Sequence, residues 1–158
     1  MAALNDRNYM VTRVVTDTAT IVIYDLGRLK HRLDDPCDWW SVPKNEVLEI
    51  NQGNALFVAT GYDCGFDIEI VTSDPLPDTL VVRALIKNDS GCFFIGAGEY
   101  VSGDGFEPKA EHGNVFVDYP AGVYRVSSWM DGPVKVCVQF AKVARFAPNS
   151  FTDSPRIG

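Results

Sequence analysis

The sequence predicts an all-β chain, an antiparallel β-sandwich with one short helix over residues 25–33. Three observations carry this reading. Apolar residues recur at every second position, the candidate strands are rich in β-branched and aromatic residues, and clusters of Gly, Pro, Asn and Asp separate them. In Val134-Lys135-Val136-Cys137-Val138-Gln139-Phe140, one face carries Val134, Val136, Val138 and Phe140, and the other Lys135, Cys137 and Gln139. Phe66, Ile68 and Ile70 alternate with Asp67 and Glu69, and Tyr124, Val126 and Ser128 with Arg125, Ser127 and Trp129. Such alternation puts one side of a strand on a core and the other toward solvent.

Taken in order, Ala19–Tyr24 is the first strand candidate. Asp25 then caps a helix whose Leu26, Leu29 and Leu33 fall at i, i+3 and i+7, and Pro36 stops it. A second short turn follows Val42, because Pro43 suits a first helical position and Glu46 comes after it. Further strands are expected at Ala55–Thr60, Phe66–Ile70, Leu80–Lys87, Cys92–Gly96, Val115–Tyr119 and Tyr124–Trp129. Breaks are expected at Asn51–Asn54, Asp74–Asp78, Asn88–Gly91, Ser102–Gly105 and Asp131–Pro133. Eight or more short strands so spaced indicate a sandwich or barrel. The 158 residues are expected to form one domain, with a core over about 11–147 and frayed ends at 1–10 and 148–158.

Charge is the second signal. The formal net charge is −7, yet the stretch from Asp34 to Asp78 alone holds ten acidic residues and one lysine, Lys44. Nucleic acid is a poor direct ligand for such a chain, because its binders present cationic patches to phosphates. A cationic protein partner is allowed, and long-range attraction would speed its arrival. No secretory leader or membrane-spanning run is expected, which points to the cytoplasm. Cys37, Cys64, Cys92 and Cys137 form no Cys-x-x-Cys pair and read as free thiols in a reducing compartment.

Catalytic and metal constellations are thin. His31, Asp34, Asp35, Cys37 and Asp38 have zinc-ligating chemistry without a ligand spacing that zinc sites use, and a helix-end histidine beside a solvated turn explains them. Asp63, Asp67 and Glu69, or Asp104 and Glu107, do not follow a calcium-loop spacing. The two histidines, His31 and His112, are too few for a recognisable nucleophile–base motif, and no phosphate loop is present. No catalytic residue, metal or cofactor is assigned.

What remains is an acidic and aromatic surface. Trp39 and Trp40 are adjacent, so in an extended chain one faces the core and the other solvent. An exposed Trp40 among Asp34, Asp35 and Asp38 would be an interface anchor. Tyr62, in Thr60-Gly61-Tyr62-Asp63-Cys64-Gly65, is expected at a loop tip. The candidate partner-binding set is Asp34, Asp35, Asp38, Trp40, Tyr62, Asp63, Asp67 and Glu69.

These residues also carry a resemblance. Tyr24-Asp25-Leu26, Leu29–Asp35, Asp38-Trp39-Trp40-Ser41-Val42-Pro43 and Glu49–Asn54 resemble a small bacterial family of β-rich proteins found beside type VI secretion toxins. Pro120-Ala121-Gly122-Val123-Tyr124 resembles β-sandwich inhibitors of the competence-nuclease type. The resemblance, clearest over residues 19–72, implies a cytoplasmic immunity protein that is not an enzyme. It would occlude a basic toxin, a nuclease above all, by placing carboxylates where phosphates would lie. Two rival readings stay open: a β-sandwich module for calcium, carbohydrate or a membrane surface, and a hydrolase with carboxylates in a β cleft.

Overall fold

The alternating segments pair into two sheets in the computed structural model, which describes residues 9–72, 79–109 and 115–158. The strands are β1 (Tyr9–Thr16), β2 (Thr20–Tyr24), β3 (Leu56–Ala59), β4 (Cys64–Ile70), β5 (Val82–Asn88), β6 (Cys92–Ala97), β7 (Val115–Asp118), β8 (Gly122–Met130) and β9 (Lys135–Val143). The first sheet has the order β1-β4-β9-β8-β5 and the second β3-β2-β6-β7. All these pairings are antiparallel except that of β4 with β9, which is parallel. The expected turn at Asp74–Asp78 and the His112–Glu111 pair lie outside the described residues.

The core is built where the alternation placed it. Phe66, Ile68 and Ile70 of β4, Tyr124 and Val126 of β8, and Val136 and Val138 of β9 are buried. They belong to one apolar cluster with residues of the second sheet, and Phe93 of β6 bridges to Tyr124 and Phe140 with ring centroids 5.6 and 4.8 Å away. Val134 departs from the pattern, being exposed at the hairpin before β9. Cys137, expected as half-buried packing on the other face of β9, is buried against Val71 and Trp129 in a small satellite cluster.

The centre of the second sheet is buried on both faces, so β2 shows no alternation at all: each of its five residues is buried. Such two-sided burial turns an alternating strand into a continuous apolar run. One face meets the first sheet. The other, carrying Tyr24, Phe57 and Phe94, is roofed by the segment between β2 and β3 and by residues 98–106. That roof holds a 3₁₀ helix at Leu26–Arg32, a 3₁₀ turn at Trp39–Ser41 and helix α1 at Pro43–Asn51.

The helix expected over 25–33 is therefore present as 3₁₀ structure, kinked at Leu29, with Asp25 capping the Gly27 amide at 3.1 Å. Asp25 is fully buried and also accepts from the Asp89 amide (2.7 Å), the Ser90 amide (3.0 Å) and the Ser90 hydroxyl (2.7 Å), tying the roof to the β5–β6 turn. The segment expected to be a short turn after Val42 is the α-helix, with Pro43 at its start and Gly53, at φ +74°, beyond its end.

Of the ends expected to be frayed, residues 1–8 lie outside the described residues, and Tyr9 and Met10 already belong to β1, which pairs along β4. The C-terminal tail is not frayed, which corrects the expectation. Asn149 bonds the Leu85 amide (2.8 Å) and carbonyl (2.9 Å) on the outer edge of β5, and Pro155 and Ile157 bond Ala59 on the edge of β3. The tail thus covers two edges that would otherwise present unpaired backbone groups.

Candidate functional site

At the end of the sandwich where β2 starts and β3 finishes, the roof leaves a cleft of about 470 Å³. Thr18 and Thr20 form one wall, from the β1–β2 turn and the start of β2. Cys37, Asp38, Trp40 and Ser41 form another, and Glu46, Ala59, Glu99 and Ser154 complete it. Proline at the head of α1 sets the helix start, which brings Glu46 of the first turn inward, where it is 7% exposed. Burial raises the Glu46 carboxyl above its ordinary range, and a hydrogen bond from Ser154 offsets this only in part. No ion pair reaches Glu46, Asp38 or Glu99 among the described residues.

Glu99 is held differently. Its carboxylate accepts from the Asp17 amide (2.6 Å) and from the hydroxyls of Thr18 (2.7 Å) and Thr16 (2.9 Å). Burial opposes ionisation there too, but these donors outweigh it and keep the group below the usual glutamate range. The cleft therefore combines a firmly ionised carboxylate with one that burial makes reluctant to ionise.

Behind the cleft a buried network orders the roof. Glu49 is 1% exposed and accepts from Asn54 Nδ2 (2.8 Å), Arg32 Nε (2.8 Å) and His31 Nε2 (2.9 Å). Arg32 continues to Asp35 at 3.0 Å and lies 4.5 Å from the centre of the Trp39 ring. Burial pushes Glu49 up, yet the hydrogen bonds from Asn54, His31 and Arg32 prevail and hold it low. His31 is thus engaged by a carboxylate of α1, and no three His, Cys, Asp or Glu side chains among the described residues are placed to hold a metal ion.

The predicted site residues separate into groups. Asp38 is exposed at the cleft, and Asp34 is exposed on the turn before it. Asp35 is half-buried and paired with Arg32. Tyr62 and Asp63 lie on the exposed loop that leaves β3 just past Ala59, so they flank the same end of the sandwich. Tyr62 is 43% exposed, its ring packs on Phe66 and its hydroxyl donates to the Pro133 carbonyl. Asp67 and Glu69 belong elsewhere, on the outer face of the first sheet, paired with Arg13 at 3.2 Å and Lys135 at 3.0 Å.

Trp40 corrects the expectation of an exposed anchor. It is 7% exposed and Trp39 4%, because the pair occupies a 3₁₀ turn rather than extended chain. At about three residues per turn, neighbours there diverge by roughly a third of a circle and can share one surface. Both reach Phe57, Trp40 stacked at 5.7 Å and Trp39 edge-on at 5.9 Å. Trp40 contributes a wall of the cleft instead of a protruding contact. The sequence reading missed Glu99, Thr18, Thr20 and Ser154, which no local pattern connects to Asp38.

The chain belongs to the family of unknown function DUF6386, whose model matches residues 9–157. No curated protein matches it in sequence. Among solved structures it is similar to ComJ from Bacillus subtilis, an inhibitor of the DNA-degrading activity of NucA. The identity is 13% and the TM-score 0.56, with 87% of this chain and 98% of that chain covered. It is also similar to the protein described as crocagin biosynthetic gene J, at 11% identity and a TM-score of 0.53, covering 85% and 97% of the two chains. At these identities the likeness shows the fold.

Proposed function

We propose that this member of DUF6386 is an immunity protein that binds and occludes a cationic toxin, specifically a type VI secreted nuclease. The observation that carries the reading is the cleft lined by Asp38, Glu46 and Glu99, with no cation paired to any of them among the described residues; Asp63 is exposed on the loop that follows β3. A nuclease must present a cationic surface to phosphates, and carboxylates set in that surface would exclude its substrate. The nuclease inhibitor ComJ, built on the same fold over nearly its whole length, supports the class of partner. The secretion setting rests on the resemblance over residues 19–72. Protection would take place inside the producing cell, by occlusion and not by chemistry.

The test takes as partner the basic nuclease that this reading expects to be encoded beside this gene. Reversing Asp38 and Asp63 to Lys is expected to slow association by ten-fold or more at low salt, the range that electrostatic steering spans. Asp35 is left intact, because reversing it would also break its contact with Arg32. An association rate unchanged by the double reversal at low ionic strength would sink the reading.

One observation favours a second reading, a carboxylate-pair hydrolase: the environments of Glu46 and Glu99 move their acidities apart. Against it, both Glu99 oxygens already accept from groups of the β1–β2 turn, which leaves little basicity for chemistry. Turnover of an ester or glycoside by the wild type, lost in Glu46→Gln, would decide for it.

A further inference from the structure

The cleft has two characters at once. Its walls are largely apolar, formed by the Trp40 ring, Ala59 and the methyl of Thr20, and Gly98 lets the chain close tightly behind them. A Cβ at Gly98 would stand 2.9 Å from Thr20 Cγ2 and 3.0 Å from Trp40 Cη2, so the wall is set by close packing and not by loose loops. Glu46 lines the cleft, 7% exposed, with the Ser154 hydroxyl beside it and no cation paired to it among the described residues. At the mouth lies Asp38, exposed. At about 470 Å³ the space is of the size that binds small groups and far exceeds the roughly 30 Å³ of one water.

A neutral apolar guest would strip the remaining water from Glu46 without replacing it, and an anion would be repelled. A divalent cation lacks a cluster of ligands among the described residues. A guest with a methylene stem and a cationic head meets both demands, since the stem covers apolar wall and the head pairs with the carboxylate. We infer that the cleft receives one basic side chain of the partner protein, lysine or arginine, its stem along Trp40 and Thr20 and its head on Glu46. This rests on the immunity reading for the source of the side chain, but the recognition itself belongs to this chain alone.

The test separates the two. The wild-type protein, labelled at its tryptophan indoles, is titrated with Nα-acetyl-lysinamide and Nα-acetyl-argininamide, and with Nα-acetyl-norleucinamide, which has the stem and no charge. Trp40→Phe assigns the Trp40 indole signal. The two cations should shift that signal saturably, with norleucinamide at least ten-fold weaker. Glu46→Gln should weaken the cations at least ten-fold, and Asp38→Asn, a change at an exposed position, should weaken them measurably without touching the fold. Absence of a saturable shift with both cations, or equal binding of norleucinamide, overturns the pocket and leaves the immunity reading to its own kinetics. Cation binding by a protein that fails to inhibit the neighbouring toxin sinks the immunity reading and leaves the pocket standing. Full toxin inhibition by Glu46→Gln overturns the partner's side chain as the occupant.

Discussion

Replacing Glu49 with Gln probes what holds the roof over the second sheet. The carboxylate is buried and takes three donors, from Asn54, Arg32 and His31, all within 2.9 Å. A glutamine keeps the shape, but its amide accepts less and brings N–H groups toward a guanidinium and an imidazole. Breaking one member of a buried pair costs about 3–5 kcal/mol, and hydrogen bonds to a charged group contribute about 1.5–3 kcal/mol each. Arg32 retains Asp35, so the lower end, about 3 kcal/mol, is the expected loss. For a chain of this size that is roughly 6–12 °C in melting temperature.

The loss should also depend on pH in a defined direction. Glu49 is held below its ordinary value of 4.5 in the folded chain, so the unfolded chain takes up the proton first as pH falls. Its stabilisation is complete above 4.5 and is lost as pH drops through the lowered folded value. Urea unfolding of wild type and Glu49→Gln would show a gap that is widest near neutrality and narrows below 4.5. The other carboxylates titrate in both proteins and largely cancel in the difference. A gap under about 1 kcal/mol, or one that does not narrow in acid, would refute the network as the roof's support.

Two further outcomes follow from the packing. Trp40→Ala should cost about 3–5 kcal/mol in urea unfolding, because the ring stacks on Phe57 in the core; a surface anchor would leave stability almost untouched. Asn149→Ala should cost about 1–3 kcal/mol and speed amide exchange at Leu85, because its side chain bonds both backbone groups of Leu85 and the Ile50 carbonyl; unchanged exchange would show that the tail is not held there.

Most strands were legible because each buries one face, and Phe66-Asp67-Ile68-Glu69-Ile70 states that directly in its burial. Strand β1 was not, since its outward Val15 is 60% exposed and blurs the contrast with inward Val14. The tail was hidden for another reason. Its Asn, Ser and Pro residues read as loop, and its bonds to Leu85 and Ala59 join residues some 64 and 96 positions apart or more, which no local pattern encodes. The tryptophan pair was misread because alternation assumes extended backbone, and Trp39–Ser41 is a 3₁₀ turn. The cleft was illegible for the same reason as the tail: Glu99 meets Thr16 and Asp17 across more than 80 residues.

The acidic block itself divides once partners are counted. Asp67 and Glu69 are balanced by Arg13 and Lys135, Glu49 by Arg32 with His31 beside it, and Asp35 by Arg32. For four of the eight described acids of the block, charge that looked like one surface in the sequence is therefore used in holding sheet and roof together. Two glutamates one turn apart on α1 show how decisive placement is: Glu49 has three donors and sits low, Glu46 has one and sits high. Of the unbalanced remainder, Asp34 and Asp63 are exposed outside the cleft lining, whereas Glu46 and Asp38 line one concave place together with Glu99 from outside the block. Opposite charge at a flat solvated face is worth little, whereas the same charge at a partly buried cleft is screened less. A cationic partner would thus gain most by reaching into the cleft, and its preference would follow the shape around Trp40 more than the chain's net charge.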